Sequence, residues 1–538
     1  MINIGQSRSL FLVSHAPGIA VAFVLAVASA LPAQTPLPAW VDRYDGPAHL
    51  EDYGEGVTVD EDGNVFVVGF TFQSASSLLV PRFLTIKYGQ DGARLWTSTY
   101  TTGTDYGSAH RIVTDSTGAA IISGIVQQSD WTIVKYSAAG TQQWARVRDT
   151  GATAMTGPSD LEVGSDDSVY VGGYDVTGTI VKYDAAGIEQ WTRQYTAAPC
   201  AFLSTAIDAT DNVYAAGTVN SGTLANEAIL VKYTASGALA WARTFGTPGT
   251  GALDRIARVE IAPDQSVIVA GTLGEGTPTG TDVVTRRYDS AGNLLWSQTL
   301  GITPNRDESV FALTITADGG IVVGGDTTLV DFSTDTLVAR YSLDGVLEWT
   351  AIYGGPYADW CRQLAHDANG GVYAAGVRGT GNGTYEYQCV RFSPTGQQVW
   401  EQFYSDGSST SVLTGIAVGP DDRVTATGRS LRSGGMDAAT IQYHQIDASP
   451  FVRGDANGDG LFDIADPILT VAFLFSGATT GCLAANDSTA DDLVDIADPI
   501  HSLGILFGSG SSLPAPHPAC GIVGTAEVLG CDDSGACP

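Results

Sequence analysis

An all-β repeat fold is predicted by three features of this 538-residue sequence. The phrase Tyr-x-x-x-Gly-x-x-x-Trp recurs six times, ending at Trp96, Trp144, Trp191, Trp241, Trp296 and Trp349; in a seventh copy, ending at Trp400, Phe392 replaces the Tyr. Counting from the unpaired Trp40, successive tryptophans lie 47 to 56 residues apart, a period that belongs to solenoids, propellers and arrays of small modules. A second phrase, a short hairpin ending in glycine, recurs eight times, with its glycine at Gly69, Gly124, Gly173, Gly217, Gly271, Gly325, Gly376 and Gly428.

The content of one repeat decides among these architectures. Residues 57–60, 65–69, 83–88 and 95–100 read as four strands, A to D. Asp60 and Gly63, Asp115 and Gly118, Asp208 and Asn212, and Asp367 and Gly370 supply tight-turn chemistry between A and B. The Tyr-Gly-Trp phrase is then the C–D hairpin, its glycine at a turn position that needs positive φ. Strand B is apolar on both faces (Val65, Phe66, Val67, Val68; Ile321, Val322, Val323), so both faces must be covered. Radially stacked sheets meet that demand, which predicts a β-propeller of four-stranded blades. The glycine of strand B marks a place where strands crowd or bend.

Eight A–B hairpins are accompanied by only seven C–D hairpins. After the last strand C, residues 440–443, no Trp strand follows, while residues 40–44 form an orphan Trp strand ahead of the first A. Pairing the two closes an eight-bladed ring and removes two exposed edges. Seven blades plus a remnant is the alternative count. The units resemble the bacterial repeats called SBBP repeats, most closely over residues 44–71, and the resemblance covers roughly 400 residues. It implies a propeller and brings no catalytic residues with it.

Residues 1–33 read as a secretory signal. Arg8 and His15 precede the apolar run 18–31, and small residues follow, placing cleavage near residues 30–33. That run is too short for a confident membrane span, and no later window of the sequence is long and apolar enough. The formal net charge of −32 disfavours nucleic acid and anionic membranes and favours cations. Seven cysteines suit an oxidising compartment. Cys482, Cys520, Cys531 and Cys537 cluster at the C-terminus, where disulfides are expected with open pairing; Cys200, Cys361 and Cys389 are expected as buried small hydrophobes.

Beyond the propeller (residues 40–443) and a linker (444–452), a different composition begins. Asp455, Asn457, Asp459, Asp463 and Asp466 place oxygens at positions 1, 3, 5, 9 and 12 of a twelve-residue loop. The carbonyl of Leu461 falls at position 7 and Gly460 at the sharp turn. This is the pattern of a calcium loop. Four carboxylates so close together repel one another without a cation, so metal binding and local order are coupled. Thirty-two residues on, the pattern returns with Asp487, Thr489, Asp491, Leu493, Asp495 and Asp498. Asp492 stands at the turn position, so weaker binding is expected there. Each loop runs into an apolar helix, with Pro467 or Pro499 in its first turn.

The duplicated loop–helix over residues 453–508 resembles the dockerin module, a calcium-dependent tail of secreted bacterial proteins. Its Arg-Gly-Asp-Ala-Asn-Gly-Asp-Gly opening and the Cys-rich residues 509–538 are similar to the planctomycete variant. The resemblance implies Ca2+ as cofactor and a cohesin-like extracellular protein as partner. Positions that often contact the partner are Ile464 with Ala465 and Ile496 with Ala497, apolar in both copies, so partner specificity is not carried over.

In the propeller, Asp52, Asp105, Asp254, Asp307 and Asp359 recur ahead of strand A and read as structural caps rather than a carboxylate ring. The B–C segments 70–82, 274–281 and 378–388 vary in length and aromatic content and are candidates for recognising a glycan or protein. No nucleophile elbow, zinc motif or phosphate loop occurs, and His110 and His366 stand alone. The preferred reading is a secreted, non-enzymatic binding or structural platform. The alternative is a propeller enzyme. One form is a quinoprotein dehydrogenase, because Tyr288 to Trp296 is similar to the tryptophan-docking phrase of that family, although the chain has no adjacent Cys-Cys pair. The other is a carbohydrate-active hydrolase or lyase, for which no carboxylate pair stands out.

Overall fold

Apolar strands joined by Asp/Gly turns fold into eight four-stranded antiparallel sheets. The computed structural model describes residues 38–538 apart from 76–77, 102–105, 128, 152–155, 221–225, 247–253, 275–279, 303–305, 330–332, 382, 406–409, 433–434, 444–450, 491–492, 509–511, 519, 521–530 and 532–538. The signal segment, the linker through residue 450, Asp105, Asp491, Asp492 and Cys537 therefore lie outside the described residues.

The chain begins with β1 (Pro38–Tyr44), and the first complete blade is β2 (Asp52–Val59), β3 (Val65–Ala75), β4 (Leu78–Tyr88) and β5 (Arg94–Tyr100). Six further blades repeat this order. The eighth consists of Ser411–Val418, Val424–Arg432 and Gly435–Tyr443, completed by β1 as its outer strand. The ring closes as expected, and the seven-blade count is excluded. The first strands of all eight blades touch in an unbroken cycle, which makes them the innermost layer around the axis.

Covering both faces of strand B is what stacks the blades. Val65 and Val67 pack with Tyr44 and Ala438 of the eighth blade. Phe66 and Val68 pack with Ala109, Ile112, Ala120 and Ile122 of the second. All four strand-B side chains are fully buried. The Tyr-Gly-Trp phrase locks the outer strands. Trp96 lies over the turn of the next blade, where a Cβ on Gly140 would meet its ring at 2.7 Å, and its indole N–H donates to the Ala138 carbonyl at 3.0 Å. The same bond runs from Trp144 to Ala185, Trp191 to Ala235, Trp241 to Ser290, Trp296 to Leu343 and Trp349 to Pro394.

The A–B turns are held by their aspartates. Asp60 Oδ1 accepts from the N–H groups of Asp62 and Asn64, and the strand-C cation Lys87 reaches Asp60 at 3.4 Å. Lys135–Asp115, Lys232–Asp208 and Arg391–Asp367 repeat that pair. Capping also describes the aspartates ahead of strand A: Asp52 accepts from Gly46 N–H, Asp254 from Gly274 N–H, and Asp359 from the N–H groups of Gly355 and Gly379. Asp307 is exposed. Cys200, Cys361 and Cys389 are buried free thiols.

Two expectations need correction. Strand A starts five residues earlier than 57, at Asp52. Residues 70–82 and 378–388 are mostly not loops: β3 and β4 extend the hairpin to residues 75 and 78, and Val372–Gly381 pairs with Thr384–Phe392. Continued cross-strand pairing satisfies the backbone there, where the polar and glycine-containing sequence had suggested a loop.

By internal contacts the chain divides into two compact units, one built on the propeller and one on the segment from Tyr443 onward. The latter contains α1 (Ala465–Ser476), α2 (Leu483–Asn486) and α3 (Ala497–Phe507), with α1 against both others. Cys482 pairs with Cys531, and Cys520 is also disulfide-bonded. No helix among the described residues is long and apolar enough to cross a membrane.

Candidate functional site

Each innermost strand carries a β-bulge at the same step of its pairing with strand B. The extra residues are Glu55, His110, Ser159, Leu203, Ala257, Phe311, Arg362 and Thr414. A bulge leaves one residue out of the ladder and re-aims its side chain. The recurrent strand-B glycine explains itself here: a Cβ on Gly69 would collide with the carbonyl of Tyr53, displaced by the bulge, and Gly325 and Gly376 face the Ser309 and Trp360 carbonyls in the same way. Within a chain that otherwise repeats, the bulge residue is different in every blade.

Seven of the eight bulge residues line a cavity of about 460 Å³ on the axis. Arg111, Arg255 and Arg258 join them, and Arg111 and Arg258 continue into an adjoining space of about 170 Å³ beside Asp160. Burial and the Arg111 charge push His110 down to about 4, so its ring is neutral near pH 7, bonded to Ser108 Oγ at 3.0 Å. Glu55 is raised by burial. Glu260 is pushed up to about 7 by burial and Asp160, and Glu162 is raised for the same reasons. The sequence reading missed this constellation. The signal that marks it is the strand-B glycine, which locates the bulge in the partner strand.

Apart from Asp491, which lies outside the described residues, the sequence-predicted residues of the C-terminal unit fall in two matching turns. Asp455 and Asp466 are buried. Asp455 accepts from the N–H groups of Asp459 and Gly460, and Asp466 from those of Asn457 and Asp463. Asp498 accepts from Thr489 and Asp495 in the same register, and Asp463 and Asp495 each cap the alanine two residues on. Asn457 Oδ1 and Asp459 Oδ1 accept from the N–H groups of Asp459 and Leu461. Thr489 Oγ1 donates to Asp487 and Asp498. Leu461 and Leu493 are exposed at position 7.

Burial pushes Asp466 up to about 6 and raises Asp455 and Asp498, in each case with a neighbouring carboxylate adding to the rise. Arg453 Nη1 lies 3.2 Å from the Asp487 carboxylate and also donates to the Asp487 carbonyl. The carboxylates of Asp455, Asp466 and Asp498 are buried hard oxygen donors, which fit a calcium ion in chemistry. Among the described residues, no three His, Cys, Asp or Glu side chains form a ready cage; Asp459 and Asp463 accept instead from the N–H groups of Leu461 and Ala465. Gly458 takes φ 72° at position 4, and its counterpart Ala490 takes φ 60°, a strained position that the sequence reading did not identify.

These features define a closed eight-bladed β-propeller with an axial cavity, together with a small helical C-terminal unit. No protein-family profile matches the chain. Among curated proteins, it is 30% identical over 157 residues to the regulatory protein FlaEY of Caulobacter vibrioides, covering 27% of this chain and 16% of that protein. The chain thus spans only a small part of that relative's length. Among solved structures, it is similar to Sqt1 of Chaetomium thermophilum (11% identity, 76% of this chain and 99% of that one, TM-score 0.49). A protein of unknown function from Bacteroides caccae (15%, 52% and 93%, TM-score 0.32) and a puromycin hydrolase (14%, 79% and 65%, TM-score 0.42) are also similar.

Proposed function

We propose that this chain is an exported, non-catalytic β-propeller that presents a ligand-binding ring and is held in an extracellular assembly by a calcium-dependent, dockerin-like module. The observation that carries the reading is a pair of matched apolar stripes. Ile468, Val471 and Phe475 on α1 are 60%, 38% and 71% exposed, and Ile500, Leu503 and Phe507 on α3 are 62%, 36% and 72% exposed. Spacing of i, i+3 and i+7 puts each trio on one helix face. Large side chains left in water at equivalent places of a duplicated unit fit a docking surface. The apolar Ile464 and Ile496, also exposed, extend each stripe into its loop. Calcium is the cation whose flexible oxygen coordination suits Asp455, Asn457, Asp459, Asp463 and Asp466, and Asp487, Thr489, Asp491, Asp495 and Asp498, with the carbonyls of Leu461 and Leu493.

Calcium titration of the full chain by calorimetry tests the metal, with two unequal steps expected and the stronger one lost in Asp455→Ala. A wild-type chain that takes up no calcium overturns the module. Export is tested by expressing the chain in a bacterial host and sequencing the N-terminus of the material outside the cytoplasm; a product that stays inside with Met1 intact refutes it.

A further inference from the structure

The axial cavity holds an arrangement that folding alone does not require. Arg255 enters from the fifth blade and Arg362 from the bulge of the seventh. Their guanidinium carbons lie 5.4 and 4.5 Å from the ring centroid of Phe311, the bulge residue of the sixth. Two like charges thus share one aromatic ring. Burial, and then the Arg362 charge, lower the pKa of Arg255. Among the described residues neither forms a salt bridge or donates a hydrogen bond to a protein acceptor; Arg362 is within electrostatic reach of Asp326, and Arg362 also lies over Trp360. Planar N–H donors that face a cavity and have no protein acceptor within hydrogen-bond distance are what a carboxylate or phosphate group satisfies.

The surroundings sharpen this. Arg111 and Arg258 line the same cavity. Arg258 donates to the Ala257 carbonyl, and Arg111 approaches Asp160 no closer than 3.9 Å. Among the described residues, Glu55 is the one carboxylate in the lining of the larger space, and burial raises its pKa. The chain has only 26 Lys and Arg against 58 Asp and Glu, so four arginines around one cavity run against the charge of the whole molecule.

We propose that this cavity is an oxyanion site, in which Arg255 and Arg362 grip a small organic di- or polyanion, bearing carboxylate or phosphate groups, from either side of Phe311. Arg111 and Arg258 supply the remaining positive field, and the apolar Leu203 and Phe311 cover the carbon skeleton. The site deepens the platform reading by giving the propeller a ligand class, and it does not depend on the calcium module.

Calorimetry on the full chain at low salt, with citrate and inorganic pyrophosphate as separate probes and glucose as the uncharged control, tests it. Binding of at least one anion, weakened by added salt, with no glucose binding, is expected; which anion wins tells carboxylate from phosphate. Arg255→Gln/Arg362→Gln reduces affinity at least about tenfold, as expected for losing two charge-assisted contacts, whereas Arg423→Gln, at a half-buried arginine outside the cavity lining, leaves it unchanged. Arg255→Lys keeps the charge and the fold but loses the planar fork, so it weakens binding even if the double variant does not fold. The proposal is overturned if neither anion binds at millimolar concentration, or if the Arg255 variants bind as wild type. Calcium uptake in the same variants separates this outcome from failure of the C-terminal module.

Discussion

Trp40 donates its indole N–H to the Gln442 side-chain oxygen at 3.0 Å, joining residues 402 positions apart. Trp40 also stacks on Tyr88 of the first blade, with ring centroids 5.3 Å apart. One side chain therefore fastens the last sheet to the first. Trp40→Ala should lower stability by about 2 kcal/mol, less than the full cost of a buried aromatic because Trp40 is half-buried. Urea denaturation followed by tryptophan fluorescence measures this; an unchanged midpoint would show that closure does not rest on this residue.

The turn glycines separate backbone strain from packing. Gly140 has φ 81° and Gly319 φ 83°, but only Gly140 has a neighbour, the Trp96 ring at 2.7 Å from a built Cβ. Gly319→Ala should cost about 1 kcal/mol for the left-handed backbone alone. Gly140→Ala adds the displacement of a tryptophan and should cost about 3 kcal/mol in all. Equal denaturation midpoints for the two variants would contradict the inter-blade lock.

Acid behaviour is set by carboxyl groups shifted in opposite directions. Burial pushes Asp326 up to about 7, against the pull of Arg362 and a bond from Cys361 N–H. The folded protein therefore holds this proton longer than the unfolded chain, and the associated stability is full below about pH 4 and lost as pH rises through about 7. Asp208 is also opposed by burial, but Asn212 and Thr210 hold it down to about 2. Its contribution is present above about pH 4 and lost as pH falls through about 2. Urea unfolding between pH 4 and 8 should show a decline that Asp326→Asn reduces. A slope identical in the variant would contradict the assignment.

In the second loop, Ala490 occupies a left-handed position that Gly458 fills in the first. Ala490→Gly should relieve about 1 kcal/mol, tightening the weaker calcium step by about fivefold. Calcium titration of the full chain reads this directly. A weaker step unmoved by the substitution would place the difference between the loops elsewhere.

Chelation offers a broader check on the same unit. The carboxylates of Asp455 and Asp466 oppose each other in a buried turn, so on the proposed calcium reading chelation should make the C-terminal unit less stable while the propeller transition stays in place. Scanning calorimetry with and without chelator distinguishes the two; a downward shift of both transitions together would contradict independent responses.

Much of the fold was legible because its signals are local. Val65 to Val68 announce a strand buried on both sides, the Asp60 and Gly63 pair announces a turn, and the missing C–D hairpin after Tyr443 announces that Trp40 must close the ring. Segment 70–82 was not legible, because cross-strand pairing from Val65–Ala75 to Leu78–Tyr88 overrides its composition. The twin loops were visible as spacing, but the strain at Ala490 and the Cys482–Cys531 pairing were not, since both depend on how the chain turns back on itself.

By itself, the sequence determined the repeat, its strands and its turns, and favoured eight blades over seven, since alternation and turn chemistry act between neighbours in the chain. The tertiary structure alone decided what faces the axis. A bulge shifts the two-residue alternation by one, so Glu55, Phe311 and Arg362 cannot be assigned a face by counting. Arg255, Phe311 and Arg362 meet only because three separate blades bring their innermost strands to one ring, and no local pattern carries that distance.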